Sequence, residues 1–121
     1  MKRFPMLLLG AAMLLPIAPA TAGPLEDAVA AYARSDYATA LRIFRPLANQ
    51  GNAIGQYILG FMYSNGQGVS QDYIEAHAWF ALAAAQGDKD AVKNRDALAK
   101  RMTPAQIAEA QKLAREWHPQ R

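Results

Sequence analysis

Segment 36–51 of this chain recurs 36 residues later as segment 72–87, and no other feature of the sequence narrows the possible folds as far. A fixed period of this length is typical of stacked helical pairs, because each pair buries its apolar face only against the next. We therefore expect an array of two-helix units. The seven identical pairs among the sixteen aligned positions are Asp36/Asp72, Tyr37/Tyr73, Ala40/Ala76, Phe44/Phe80, Ala48/Ala84, Gln50/Gln86 and Gly51/Gly87.

The first 22 residues have the composition of a secretory signal peptide. Lys2 and Arg3 precede an apolar run at 6–15, and small residues follow up to Ala22. The run is shorter than the ~20 apolar residues that a membrane-spanning helix needs. We expect cleavage after Ala22, export to the periplasm or the medium, and no stable membrane anchor. The chain has no cysteine for a disulfide or an S-linked lipid.

The segment that remains after this cleavage is long enough for one domain and too short for two. The whole chain carries 13 basic and 10 acidic residues and has a net charge of +3. Because Lys2 and Arg3 leave with the signal peptide, the remainder has a net charge of only +1. The pI of about 9.4 therefore describes the precursor, and we expect no nucleic-acid partner.

Apolar residues at helical spacing predict six helices after residue 22, and no stretch has the pattern of a strand. The predicted fold class is all-α, a short α/α solenoid of about three helix-turn-helix repeats. Pro46 lies inside the second helix, where its missing N–H is expected to kink the last turn. The predicted ranges are 25–34, 37–49, 53–64, 73–86, 89–101 and a last helix from Pro104 to Trp117.

Residues at the helix boundaries support these ranges. Short polar side chains are expected to accept hydrogen bonds from first-turn amides, and a Glu or Gln three residues later can reach back. Gly51 and Gly87 suit the left-handed position that ends a helix. The predicted N-caps are Asp72 with Glu75 reaching back, Asp88, and Thr103 with Gln106.

The middle of the chain resembles the Sel1-like repeats, relatives of the tetratricopeptide array. The resemblance rests on QYILGFMY at 56–63, GQGV at 66–69, DY at 72–73, AHAWF at 76–80 and AAAQG at 83–87. It implies a Sel1-like repeat domain at 23–118, made of a first repeat with a short loop at 25–51, a complete repeat at 52–87, a closing helical pair at 88–117, and then a tail at 119–121.

Fixed positions of the repeat have physical reasons as well. Gly60 lets its helix approach a partner closely, and Gly66 and Gly68 allow the chain to reverse between two helices. Large side chains on one helix are expected to meet small ones on the other. The predicted structural positions are Leu59, Gly60, Tyr63, Gly66, Gly68, Asp72, Ala76, Trp79, Phe80, Ala84 and Gly87.

Residues capable of catalysis are few. His77 and His118 are the two histidines, and we interpret His77 as a satisfied or surface side chain because no metal ligand lies at a helical spacing from it. Asp88 and Asp90 are interpreted as a helix cap and a dipole partner. The sequence therefore predicts no catalytic residues, no metal and no cofactor.

The first helix of each pair lines the concave face in tetratricopeptide-like arrays, and the helix at 53–64 is apolar nearly all round. Such a helix either packs against its neighbours on both sides or presents a ligand groove, and both interpretations stay open. A shift of 36 places Arg95 where Leu59 lies, so either the alignment or the burial differs there. The candidate binding residues are Ile54, Tyr57, Ile58, Phe61, Asn65, Lys93, Asn94, Arg101 and Arg34.

Two functions remain. The resemblance implies a non-enzymatic adaptor of the bacterial cell envelope that binds a protein or peptide segment on its concave face. The alternative is an envelope enzyme or an inhibitor of a cell-wall enzyme, acting through Asp88, Asp90 or His77. Self-association is also expected to be possible, because exposed ends of a short array can stack.

Overall fold

The computed structural model describes residues 23–120, which form six α-helices and, within that range, no strand. The expected all-α, solenoid-like fold is confirmed. The predicted signal peptide and Arg121 lie outside the described residues. The helices are α1 (Pro24–Ala33), α2 (Tyr37–Asn49), α3 (Ala53–Asn65), α4 (Tyr73–Ala85), α5 (Lys89–Ala99) and α6 (Pro104–Glu116). No helix of residues 23–120 is both long and apolar enough to cross a bilayer.

The predicted N-caps are confirmed, with one correction. Asp88 accepts from the amides of Asp90 and Ala91, and Thr103 forms the full reciprocal box with Gln106. Asp72 also caps its helix, but Glu75 does not reach back. The Asp72 N–H is already taken, because it donates to the Tyr63 carbonyl at 2.8 Å.

Glycines lie at or just after the ends of three helices. Gly51 and Gly87 both have φ near +100°, and Gly66 and Gly68 have φ of +68° and +76°, as predicted for residues that end helices or reverse the chain. Proline does not end α2, which continues through Pro46 to Asn49.

The fifth helix is shorter than the sequence predicted. It ends at Ala99 rather than at 101, because the amides of Lys100 and Arg101 donate to carbonyls three residues back, at Ala97 and Leu98. This tighter turn leaves Arg101 exposed, just beyond the end of α5.

Two apolar clusters form the core, one on each side of α4. The first includes Phe44, Leu59, Met62 and Trp79, which are all buried. The second contains Ala76 and Phe80 of α4 together with Leu98, Met102 and Ala110 from α5, the turn after it, and α6. Helix α4 therefore contributes to both halves of the core.

Gly60 is where α3 and α4 come closest. A Cβ built on Gly60 would lie 2.5 Å from a ring carbon of Phe80, closer than real Cβ contacts come. Glycine is therefore required sterically at this position, and the sequence-based expectation of a close helix approach at Gly60 is confirmed.

The third helical pair is packed differently from the first two. Helices α1 and α2 pack together, as do α3 and α4, whereas α5 and α6 each pack on α4 and make little contact with each other. After α6, the chain returns to the end of α2. Trp117 approaches Gly51, and the amide of Gln120 donates to the Asn49 carbonyl at 2.7 Å.

Helix α5 has buried residues at some of the positions that are buried in α3, 36 residues earlier, and a charged residue at another. Ala91 and Leu98 are buried, as expected for the equivalents of Gly55 and Met62 one repeat earlier. Arg95, by contrast, replaces the buried Leu59. The 36-residue alignment therefore holds, and it is the burial that differs at Arg95.

Candidate functional site

A groove of about 220 Å³ runs between α3 and the end of α5, on the face expected to be concave. Phe61, Ser64 and Asn65 form one wall. Phe80 of α4 reaches its floor through the space beside Gly60. The opposite wall consists of Asn94, Ala97, Leu98 and Arg101.

Three aromatic rings support the groove. Tyr57 and Phe61 meet edge to face with their ring centroids 4.9 Å apart, and Phe61 meets Phe80 in the same way at 5.3 Å. Tyr57 also contacts Phe80, at 5.9 Å. Edge-to-face pairs at these distances stabilise one another beyond simple area burial. The apolar part of the groove is therefore held in one shape.

Asn94 connects the two walls of the groove. Its side-chain amide donates to the Tyr57 hydroxyl at 3.2 Å and to the Asp90 carbonyl at 2.8 Å. Burial raises the pKa of Tyr57, with smaller contributions in the same direction from Asp90 and Asp88. The phenol therefore stays neutral at physiological pH and accepts this hydrogen bond without ionising.

One end of the groove is positively charged. Arg101 is exposed, and its guanidinium carbon lies 5.6 Å from the centroid of the Tyr73 ring. This distance is within the range of a cation–π contact, which limits how freely the side chain moves. Asn65, also exposed, offers an amide on the facing helix.

The candidate residues from the sequence are only partly brought together. Phe61, Asn65, Asn94 and Arg101 line the groove, and Tyr57 supports it. Ile58 instead packs against the first apolar cluster, so the internal-packing interpretation holds at that position.

The remaining three candidates lie outside the groove lining. Ile54 is 49% exposed and Lys93 is exposed as well. Arg34 follows α1 and its guanidinium lies 3.4 Å from the carboxylate of Asp36. Sequence reasoning placed Arg34 by allowing for a shorter first loop, and that register does not bring it to the groove.

A second groove, which sequence reasoning missed, lies between α4 and α6. It measures about 270 Å³ and has Trp79 and Leu82 on one side and Leu113 and Trp117 on the other. Burial, with a smaller contribution from Asp72, raises the pKa of Glu75 at its edge. The spacing of Leu113 and Trp117, four residues apart on one face of α6, was the available signal.

His77 corrects a sequence-based interpretation. It is only 4% exposed, and its Nδ1 atom is buried without a hydrogen-bond partner. It is therefore neither a surface side chain nor a satisfied one. Burial lowers the pKa of His77, nearby Arg95 lowers it further, and Asp96 partly opposes them.

Comparison with known protein families bears on α3 and α4, two of the three helices that contribute to the groove. Residues 53–88 match the Sel1 repeat family. The chain contains a Sel1 repeat. Its matched segment covers α3, the glycine turn, α4 and the first residues beyond it. A comparison with curated proteins finds no match.

Sel1 repeats are generally non-catalytic modules that mediate protein–protein interactions. Across residues 23–120, no three His, Cys, Asp or Glu side chains are grouped as metal ligands would be. The match at residues 53–88 therefore indicates a protein–protein interaction module.

Proposed function

We propose that this protein is a non-enzymatic interaction module of the bacterial cell envelope, and that it holds an extended peptide segment of a partner protein in the groove between α3 and α5. One observation carries the proposal: a preformed apolar floor of Phe61 and Phe80 lies between exposed polar side chains on both walls. Peptide sites commonly combine a rigid apolar pocket with a few polar anchors.

The groove fits a particular peptide chemistry. An aliphatic side chain of the partner would lie against Phe61 and Phe80. The exposed amide of Asn65 would pair with the partner's main chain, and Arg101 would pair with an acidic side chain. A phosphate backbone would need several cations along the groove, whereas Arg101 is the single basic residue among those that line it.

Export is the second part of the proposal. It rests on Lys2, Arg3 and the apolar run at 6–15, followed by small residues up to Ala22. Cell fractionation of the tagged protein, with N-terminal sequencing of the mature form, tests it directly. A chain that starts at Gly23 in the periplasm or the medium supports export, and an intact N-terminus in the cytosol contradicts it.

Binding is tested with a charge reversal at Arg101. A photo-crosslinking amino acid at position 65 captures the partner in the native cell, and a peptide from the captured segment is then titrated against purified protein. Arg101→Glu should weaken binding at least tenfold, because it replaces attraction for an acidic side chain with repulsion.

Lys112→Glu is the matched control, since it reverses one exposed charge on α6, away from the groove. It should leave the affinity within about twofold. Equal weakening by both variants, or crosslinking at position 65 that yields no protein partner, contradicts the proposed site. Self-association stays a prediction, to be checked by whether the thermal midpoint rises with protein concentration.

A further inference from the structure

A third cavity lies where α5 and α6 separate over α4. It measures about 340 Å³, and the three helices all contribute to its walls. It lies apart from the peptide groove, because the two share no lining residue. Its shape follows from the packing described above, since α5 and α6 each rest on α4 and leave the space between them open.

This cavity includes a buried polar side chain in its wall. His77 lines it, is 96% buried, and leaves Nδ1 without a hydrogen-bond partner. His77 therefore brings an imidazole to the wall of the cavity. One repeat earlier the equivalent residue is Leu41, which packs against the first apolar cluster.

Two more polar side chains face the same space. Arg95 is 31% exposed, and its Nε donates to the Asp96 carboxylate at 3.1 Å, which leaves the terminal guanidinium nitrogens without a partner in that pair. Gln111 lines the wall on α6. Counted from the N-caps Asp72 and Thr103, Gln111 takes the place that Phe80 has in α4.

The rest of the wall is apolar. Ala81, Ala99 and Ile107 line it on α4, α5 and α6 respectively. The cavity therefore combines cationic and hydrogen-bonding side chains with hydrocarbon ones. A single guanidinium that is already shared with Asp96 suits a monoanion better than a dianion.

We propose that this cavity binds a small organic monocarboxylate, whose carboxylate pairs with Arg95, His77 and Gln111 and whose hydrocarbon part lies against Ile107. The planar guanidinium matches a carboxylate in geometry, and Gln111 can donate to the same oxygens. The site is additional to the peptide groove and does not depend on it.

Proton uptake accompanies binding. Of the residues that line the cavity, Arg95 and Asp96 on α5 carry charges, and those on α6 carry none. Burial and Arg95 lower the pKa of His77 in the free protein. A carboxylate beside the imidazole favours its protonated form, so bound ligand raises this pKa and affinity increases as pH falls, by up to about tenfold per pH unit.

The two histidines of the chain make a direct measurement possible. NMR titration of the imidazole signals gives a pKa for His77, while exposed His118 serves as an internal reference. Sodium butyrate is the probe, with sodium chloride at equal ionic strength as the control. Butyramide and butylamine, which are matched in size, test the need for negative charge. We expect butyrate, and neither of the two uncharged or cationic analogues, to raise the pKa of His77.

Variants that restore the residues of the preceding repeat should remove the site without harming the fold. Arg95→Leu should weaken butyrate binding at least tenfold, and His77→Leu should abolish its pH dependence. Arg115→Leu removes an exposed charge from α6 and should bind as the original protein does. Arg101→Glu should also leave butyrate binding intact, which separates this site from the peptide groove.

Three outcomes overturn the proposal. In the first, the pKa of His77 does not respond to butyrate up to 100-fold excess over protein, which indicates a hydrated cavity only. In the second, butyramide binds as well as butyrate. In the third, Arg95→Leu retains the original affinity while circular dichroism shows that it is folded.

Discussion

The hairpin of α3 and α4 and the pair of α5 and α6 occupy equivalent places in successive repeats and are built in opposite ways. In the first, Gly60 admits Phe80 so closely that no Cβ fits between them. In the second, Asp96 occupies the position equivalent to Gly60 and Gln111 the position equivalent to Phe80. These two helices make little contact with each other.

The difference shows what the apolar positions of a Sel1 repeat accomplish. Helix α5 keeps Ala91 and Leu98 buried against its neighbours, so it still docks on the preceding unit. It makes little contact with its own partner, and Arg95 and Asp96 lie on the face that lines the space between them. Packing within a pair and packing between pairs are therefore specified by separate residues.

The largest difference between the two pairs is expected when the equivalent side chains of Phe80 and Gln111 are truncated. Phe80→Ala should destabilise the fold by about 3–5 kcal/mol, since it leaves a cavity in the second apolar cluster. Gln111→Ala should change stability by less than ~0.5 kcal/mol, because it removes no core packing. Urea unfolding followed by circular dichroism measures both. Similar losses for the two variants would mean that α5 and α6 pack as the first pairs do.

Adding a methyl group gives the second test. Gly60→Ala forces its Cβ against the Phe80 ring, a steric cost of about 1–3 kcal/mol that should exceed the ~1 kcal/mol gained from alanine's helix propensity. Asp96→Ala, at the equivalent place in α5, has open space before it and should stay within ~0.5 kcal/mol. If Gly60→Ala stabilised the protein in urea unfolding, the close approach of α3 and α4 would be contradicted.

The smallest effect is expected from pH. The pKa of His77 is lowered in the folded state, so the unfolded chain binds a proton more readily, and stability should fall as pH drops below the unfolded value near 6.5. His77→Leu should show a smaller loss of stability between pH 7.5 and pH 5.5 than the original protein. His118→Leu, which makes the same substitution at the other histidine, in the exposed tail, is the matched control.

Local sequence signals predicted most of the helix framework. Capping residues such as Asp88 and Thr103 set the helix starts, and glycines at positive φ ended two of them, because these effects act within one turn. The groove was predictable in part for a related reason. Asn65 and Arg101 are 36 residues apart, so the repeat gives them equivalent positions at the C-terminal ends of α3 and α5.

The features that the sequence did not reveal depend on several helices at once. The burial of His77 follows from the packing of both α5 and α6 on α4, and no local pattern encodes that arrangement. Arg95 signalled a departure from the repeat, but a charged residue at an apolar position is compatible with a shifted alignment as well as with an open cavity. The groove beside Trp79 required the crossing of α6 over α4, which periodicity alone does not give.

The hydrogen bond from Gln120 to Asn49 bears on how the molecule unfolds. A solenoid in which every unit touches only its neighbours can lose its terminal units one at a time. Here the tail that follows α6 is hydrogen-bonded to the last residue of α2, some seventy residues away in sequence. This long-range link couples the last unit to the first, so it favours cooperative melting of the whole array over stepwise fraying.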